Sequence, residues 1–209
     1  AKRRNIKSAV LMFAPHPRQY FNKDQYVSLH LYSDNLQKIE EQGVDYIIVV
    51  DFDAKFMKLK PLEFIKFLSE NLNAKFVTTG CNFRFGNQRK GDCKMLAQNA
   101  KQYKYQYFMM NNIMVQHEIA SSSNIKRLIE MRCLKRAASL LGHLPYIPIK
   151  KQGQIIELDG FCEIKLTPHT GVVQPGPGLY AACISDNAHV LLSIDSSGRL
   201  LLRSAKPLD

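Results

Sequence analysis

Three short stretches of this chain hold residue types that could do chemistry. The first, Gly80-Cys81-Asn82-Phe83-Arg84-Phe85-Gly86-Asn87-Gln88-Arg89-Lys90-Gly91-Asp92, interleaves glycines, aromatic rings and cations. Its glycines would let the backbone approach a ligand closely, and Phe83 and Phe85 offer faces to a flat ring system. The alternative is a hairpin-like loop whose aromatics fill the core. The second stretch, Ser121-Ser122-Ser123-Asn124-Ile125-Lys126, places hydroxyls and free N–H groups where a helix can begin. The positive end of the helix dipole makes such a start a ready anion site, and the alternative is a plain serine cap on a solvated basic helix. In the third, His16 stands between Pro15 and Pro17, where a rigid turn suits a structural histidine better than a general base.

The remaining reactive types form no constellation. His30, His117, His143, His169 and His189 show no ligand or triad spacing and read as surface or packing residues. Cys81, Cys93, Cys133, Cys162 and Cys183 are widely spaced with no C-x-x-C pair, so neither a zinc site nor a disulfide framework is expected, no metal ligands are assigned, and a reducing compartment fits.

The elements that must position these stretches alternate along the first two-thirds of the chain. Ala9 to Phe13 reads as a buried strand stopped by Pro15-His16-Pro17, which neither continues a ladder nor easily starts a helix. Ser33 reads as the cap of a helix carrying Leu36 and Ile39 and ending at Gly43, and Val44 to Val50 as the next strand. Pro61 opens a helix through Leu68, Lys75 to Thr79 is a strand, and a polar loop runs from Gly80 to Gly91. Asp92 caps a helix to about Lys101, Tyr103 to Met110 is strand-like, and Ser122 or Ser123 caps a helix reaching Leu141. The alternation within Tyr103, Tyr105, Tyr107 and Phe108 is that of a strand and not of a base-stacking platform. Strands alternating with helices predict an α/β fold with a parallel sheet, whose ligand crevice lies at the carboxyl ends of the strands. After Gly142 the texture becomes β-prone: 154–158, 178–183 and 190–194 are short apolar runs separated by turns such as Asp159-Gly160 and Ser196-Ser197-Gly198. An α/β domain over 1–145 and a small β domain over 146–209 are expected.

The 209 residues carry 29 Lys and Arg against 18 Asp and Glu, a net charge of +11 without one dense basic tract. Such a field favours phosphate-bearing partners, whether nucleotide, RNA or anionic membrane, without choosing among them. No apolar run approaches the roughly 20 residues that span a bilayer. The expected location is the cytoplasm, or an organelle matrix in a eukaryotic host.

Three motifs in register resemble the bacterial bifunctional riboflavin kinase/FMN adenylyltransferase (FAD synthase) family. Phe13-Ala14-Pro15-His16-Pro17-Arg18-Gln19-Tyr20-Phe21 is similar to its F-x-P-H-P-x-x-F-F turn, Gly80 to Asp92 to its G-x-[DN]-F-R-F-G-x-x-R-x-G-D loop, and Ser121 to Lys126 to its S-S-[ST]-x-I-R element. Gly43-Val44-Asp45-Tyr46, Phe52-Asp53-x-x-Phe56 and Leu141-Gly142-His143 also fall where the family has similar words. The resemblance covers residues 8 to 146 and implies a Rossmann-like nucleotidyltransferase domain with a small C-terminal β unit, a reduced riboflavin-kinase-like barrel. It implies ATP, FMN/FAD and Mg²⁺ as substrates and cofactor, with FMN and ATP giving FAD and pyrophosphate. FMN would be bound by Gly80, Asn82, Phe83, Arg84, Phe85 and Asp92, and ATP by His16, Ser121, Ser122, Ser123 and Lys126, the last also serving catalysis. Lys126 replaces the family's arginine by a point charge without a bidentate fork, so phosphate clamping is weaker or draws on Arg127.

Two departures qualify this. The family begins with a strand and a G-x-F-D-G-x-H-x-G-H motif whose histidines bind the ATP phosphates. No H-x-G-H occurs in the 209 residues, and Ala1 to Asn5 correspond to the end of the helix after that motif. Either a preceding segment supplies those histidines or adenylyl transfer has been lost. The family's kinase barrel carries G-F-P-T-A-N, where this chain has Glu163 to Pro168, and only Gly178-Leu179-Tyr180-Ala181 resembles the barrel's G-V-Y-A strand, so riboflavin kinase activity is not expected. The alternative to an adenylyltransferase is an inactive homologue acting as a subunit or scaffold in a protein or RNA-rich assembly.

Overall fold

The computed structural model describes residues 6–23, 25–158, 160–184 and 188–205. Ala1 to Asn5, read above as a helix end, and Asp159 of the Asp159-Gly160 turn lie outside the described residues. The chain divides into two units, one of Ala1–Gln25 with Leu36–Met114 and the other of Tyr26–Asn35 with Val115–Asp209.

Through the first of these run β1 (Ala9–Ala14), α1 (Pro17–Phe21), α2 (Tyr32–Glu41) from Leu36 on, β2 (Tyr46–Asp51), α3 (Ala54–Met57), α4 (Pro61–Lys66), β3 (Phe76–Gly80), β4 (Arg84–Phe85), β5 (Gly91–Asp92), α5 (Cys93–Asn99) and β6 (Gln106–Met110). The α/β reading holds: β1 lies parallel to β2, with Ala9 opposite Tyr46 and Ala14 opposite Asp51, and β3 lies parallel to β6, with Phe76 opposite Gln106 and Gly80 opposite Met110. The parallel strands come as two pairs, with no ladder between them among the described residues. Each pair is closed by its own helical crossover, so the alternating pattern specifies pairing within one strand–helix–strand unit and not between successive ones.

Asp45 sets the register of the first pair. Its carboxylate accepts from the Ser8 N–H at 2.8 Å, the Ser8 hydroxyl at 2.8 Å and Lys7 Nζ at 3.0 Å, and these bonds, the Ser8 amide first, hold the carboxyl well below the usual range. Pro61 starts α4 where its missing N–H costs nothing, and Glu63 reaches back to accept from the Lys60 N–H at 2.6 Å. The helix runs on as a wider π turn over Phe67–Asn71 and buries Phe64, Ile65 and Leu68 against Val77, Phe85, Leu96 and Tyr105. Tyr105 donates its hydroxyl to the Leu96 carbonyl at 2.6 Å, and burial pushes its pKa up to about 12.

In the second unit follow β7 (Met114–Val115), β8 (Glu118–Ile119), α6 (Ser122–Glu130), α7 (Leu134–Leu141), β9 (Ile149–Leu158), β10 (Phe161–Pro168), β11 (Gly178–Cys183), β12 (His189–Ile194) and β13 (Leu200–Ser204). Ile125, Leu128, Ile129 and Ala137 make one small core with Val173. The last five strands form an antiparallel sheet in the order β11-β12-β13-β10-β9, with both edges open among the described residues, in keeping with a reduced barrel. Val190, Leu192 and Ile194 alternate inward beside Leu200 and Leu202, the pattern of a sheet with one buried face.

Several boundaries differ from the sequence reading. Pro17 does start a helix: it occupies the first turn of α1, and His16 caps it by accepting from the Arg18 N–H at 3.1 Å. Ser33 is no cap, because the Leu31 carbonyl already accepts from the Asn35 N–H and α2 has begun. α5 ends at Asn99 and β6 starts at Gln106, the intervening turn holding Lys104 at φ +55°. The single helix expected from Ser122 or Ser123 to Leu141 is two, capped by Ser121. It breaks where the Cys133 N–H reaches back to the Leu128 carbonyl and Arg132 takes φ +62°. Strands β10 and β13 lie outside the runs read as strands above: β10 alternates Cys162, Ile164 and Leu166 with Glu163, Lys165 and Thr167, and Glu163 pairs with Arg203 of β13 across the sheet.

Candidate functional site

Segments that leave the carboxyl ends of β1, β2 and β3 converge on one aromatic cavity of about 370 Å³ within the first unit. β1 delivers Phe13, then Pro17, Arg18 and Phe21 of α1. β2 delivers Phe52 and, on α3, Phe56. β3 delivers Phe83, Arg84, Phe85 and Arg89. This is where a parallel sheet presents ligands. The rings meet at tilted and edge-to-face angles: Phe13 lies tilted 5.5 Å from Phe56 and edge to face 6.0 Å from Phe52, and Phe21 edge to face 6.2 Å from Phe52. Phe83 stacks on Phe85 at 5.7 Å, which in turn lies 5.0 Å from Phe64. Arginines at the rim of an apolar cleft suit a ligand with a flat ring and an anionic tail.

The glycine-bearing loop is shaped by the protein's own atoms. Arg84 pairs with Asp92 and Phe85 with Gly91 across β4 and β5. A side chain at Gly91 would put its Cβ 2.5 Å from the Phe85 ring, and one at Gly86, where φ is +71°, would put it 2.9 Å from Pro61. Asp92 caps α5 by accepting from the Met95 N–H at 2.9 Å and pairs with Arg84 at 3.0 Å. The Met95 amide first and Arg84 with it hold its carboxyl below the ordinary range.

Of the residues assigned to FMN, Phe83, Arg84 and Phe85 line the cavity. Gly80, Asn82 and Asp92 do not: the Gly80 carbonyl oxygen lies 3.3 Å from the Cys93 thiol, Asn82 is exposed, and Asp92 is the cap and clamp just described. Phe21, Phe52, Phe56, Arg18 and Arg89 were not assigned, although the F-x-P-H-P-x-x-F-F and F-D-x-x-F words contain the first four; their convergence is tertiary.

Among the residues assigned to ATP, His16 belongs to the first unit and the others to the second. The Ser121 hydroxyl accepts from the Asn124 N–H at 3.3 Å, and Ser122 and Ser123 are exposed at the first two positions of α6. Lys126 donates to the Val27 carbonyl at 2.9 Å and stands 6.0 Å over the Tyr26 ring. Arg127 donates to Asn124 Oδ1 at 3.0 Å. Close by in sequence, Glu118 accepts from Arg136 Nη2 at 2.6 Å and Nε at 2.9 Å, and Arg136 foremost holds its carboxyl low. Nothing in the local sequence signals that pair, since its members are 18 residues apart. His30 packs on the Tyr146 ring at 5.5 Å. No three His, Cys, Asp or Glu come together as metal ligands among the described residues, and none of their helices is long and apolar enough to cross a membrane.

The FAD synthetase family model matches residues 1–124. Relatives named bifunctional riboflavin kinase/FMN adenylyltransferase include those of Haemophilus influenzae, 31% identical over 85% of this chain and 58% of the relative, and Escherichia coli K12, 29% identical over 86% and 58%. The Buchnera aphidicola (Schizaphis graminum) protein of the same name is 28% identical over 74% of this chain and 49% of the relative. The chain thus spans about half the length of the curated relatives it matches. A crystal structure titled as a macrolide-efflux protein from Streptococcus pneumoniae has the same fold, with a TM-score of 0.75 at 19% identity over 99% of this chain and 78% of that one. With the matched model covering more than half of its residues, this chain belongs to the FAD synthetase family.

Proposed function

We propose that the chain binds FMN in the aromatic cavity and serves an FMN adenylyltransferase, joining FMN to the adenylyl group of ATP to give FAD and pyrophosphate. The observation that carries this reading is the meeting of Phe13–Phe21 and Phe83–Arg89, two separate family words, in one cavity of about 370 Å³ walled by aromatic rings and arginines. The isoalloxazine ring lies among Phe21, Phe56 and Phe83, and the FMN phosphate is drawn by Arg18, Arg84 and Arg89. Ser122, Ser123 and the N–H groups of α6 receive ATP phosphates, with Lys126 as the neutralising charge. Bond making is by attack of an FMN phosphate oxygen on the α-phosphorus with pyrophosphate leaving, and the chain contributes positioning and charge. The described residues form no protein cage for Mg²⁺. The domain division at 145/146 belongs to the same reading.

A second reading is favoured by Lys126 and Arg127, whose cationic groups are already hydrogen-bonded within the protein. In it the chain binds flavin without adenylylating it and acts as a subunit or scaffold in a larger protein or RNA-rich assembly. Titration with FMN, read by loss of flavin fluorescence, followed by an assay for FAD with ATP and Mg²⁺, separates the two. The first reading expects a Kd on the order of 1 μM, near −8 kcal/mol, together with FAD formation. FAD formed only when a segment bearing the family's G-x-F-D-G-x-H-x-G-H motif is joined ahead of Ala1 still supports the first reading, binding without FAD in either form selects the second, and the absence of FMN binding removes both.

A further inference from the structure

We propose that a second cavity of the first unit is a binding site for a small, multiply charged phosphate anion. Its volume is about 430 Å³, within the range of small-molecule sites, and Lys66, Lys75, Lys104, Glu70, Gln102 and Tyr103 are among its walls. Lys75 immediately precedes β3 and Lys104 stands two residues before β6, so this cavity belongs to the amino ends of those strands. The aromatic cavity is built on segments following the carboxyl ends and shares no lining residue with it.

Three observations point to an anion. First, the ammonium groups of Lys66, Lys75 and Lys104 have no ion-pair or hydrogen-bond partner among the described residues, and Glu70 is the lone carboxylate in the lining. Three cations sharing one concavity repel one another, and a multiply charged anion among them relieves that repulsion. Second, the Gln102 amide and the Tyr103 hydroxyl, also without hydrogen-bond partners, add neutral donors suited to phosphate oxygens. Third, the backbone is irregular on both sides. Ser69 and Glu70 ride on the π turn Phe67–Asn71, and Lys104 holds φ +55°, a conformation that glycine adopts without cost and lysine does not. A strained lysine and a π turn bordering one basic cavity are the kind of distortion that gathers at ligand sites.

The test uses the full chain and sodium tripolyphosphate, followed by calorimetry and by amide shifts in ¹H–¹⁵N spectra. The Ser122→Ala/Ser123→Ala/Lys126→Ala background removes the phosphate site proposed on α6, and an intact lysine cavity still binds there. Shifts are expected within 66–75 and 102–104. Lys66→Gln/Lys75→Gln/Lys104→Gln weakens binding about tenfold or more, and Glu70→Gln tightens it about threefold, both effects shrinking as salt rises. Lys104→Gly raises Tm while weakening binding, which keeps the test open should the triple variant fail to fold. Shifts confined to other residues, an unchanged affinity in the triple variant, or no tightening by Glu70→Gln would overturn the proposal. Failure of FMN binding leaves it untouched, since the two cavities are separate.

Discussion

The aromatic cavity and the serine-capped helix share the residue types of ligand sites but differ in what those residues are already doing. In the cavity, Phe21 is 61% exposed at the rim and the open space is walled by rings, so apolar surface awaits a partner. At α6, the Ser121 hydroxyl, the Lys126 ammonium and the Arg127 guanidinium each have one within the protein. A serine that caps a helix and one that binds phosphate present the same atoms, and only their hydrogen bonds tell them apart. The cavity contains a similar division: Phe85 is 6% exposed and belongs to the core, while Phe21 does not.

That division predicts the largest effect. Phe85→Ala should cost about 3–5 kcal/mol in chemical denaturation, the usual loss for a buried phenylalanine. A cost below about 1 kcal/mol would make Phe85 a ligand-facing residue and not core. Gly91→Ala should follow at about 1–3 kcal/mol, because its Cβ would stand 2.5 Å from the Phe85 ring and that ring, packed in the core, must shift to admit it. If Gly91→Ala leaves stability intact but lowers FMN affinity, the glycine serves the ligand directly.

At the rim the balance reverses. Phe21→Ala should leave Tm nearly unchanged and weaken FMN binding about fivefold to tenfold, the worth of one aromatic contact of about 1 kcal/mol. On α6, Ser121→Ala should cost about 1 kcal/mol as a lost cap. Ser122→Ala and Ser123→Ala should stay within about 0.5 kcal/mol, yet weaken ATP binding if the helix start receives phosphate. Equal stability losses at all three serines would erase the contrast between cap and site.

What was legible in the sequence follows from range. The strand–helix alternation is local, so the α/β class and most elements could be read from it. Asp92 as a cap and Pro61 at a helix start were readable for the same reason, each needing only neighbours three residues away. Misreadings occurred where a distant or backbone partner decides. The helical pattern breaks at Arg132, where the Cys133 N–H takes a carbonyl five residues behind it, and β10 and β13 are joined by a pairing of residues about 40 apart in sequence, such as Glu163 with Arg203. The cavity was half legible. Phe83 and Phe85 stand in a recognisable loop, but Phe52 and Phe56 join them only because β2 pairs with β1.

The smallest predicted effect is set by pH and asks whether Asp92 shapes the site or touches the ligand. Its carboxyl titrates below the usual range in the fold, the Met95 amide and Arg84 favouring the charged form, whereas an unfolded aspartate titrates near 3.9. The unfolded chain therefore takes up its proton first as pH falls. The stabilisation is fully present above about pH 5 and is lost as the folded group is protonated in turn. Asp45, lowered chiefly by the Ser8 amide, contributes to the same acid limb. Asp92→Asn keeps a residue able to cap α5 but removes the charge that holds Arg84, so the fall of Tm between about pH 5 and 3 should become shallower than in the parent chain. FMN affinity at pH 7 should change by no more than about twofold if Asp92 only steadies the loop. A tenfold loss with an unchanged acid limb would place Asp92 at the flavin and make the loop's cap, and not its rings, the better-read part of the motif.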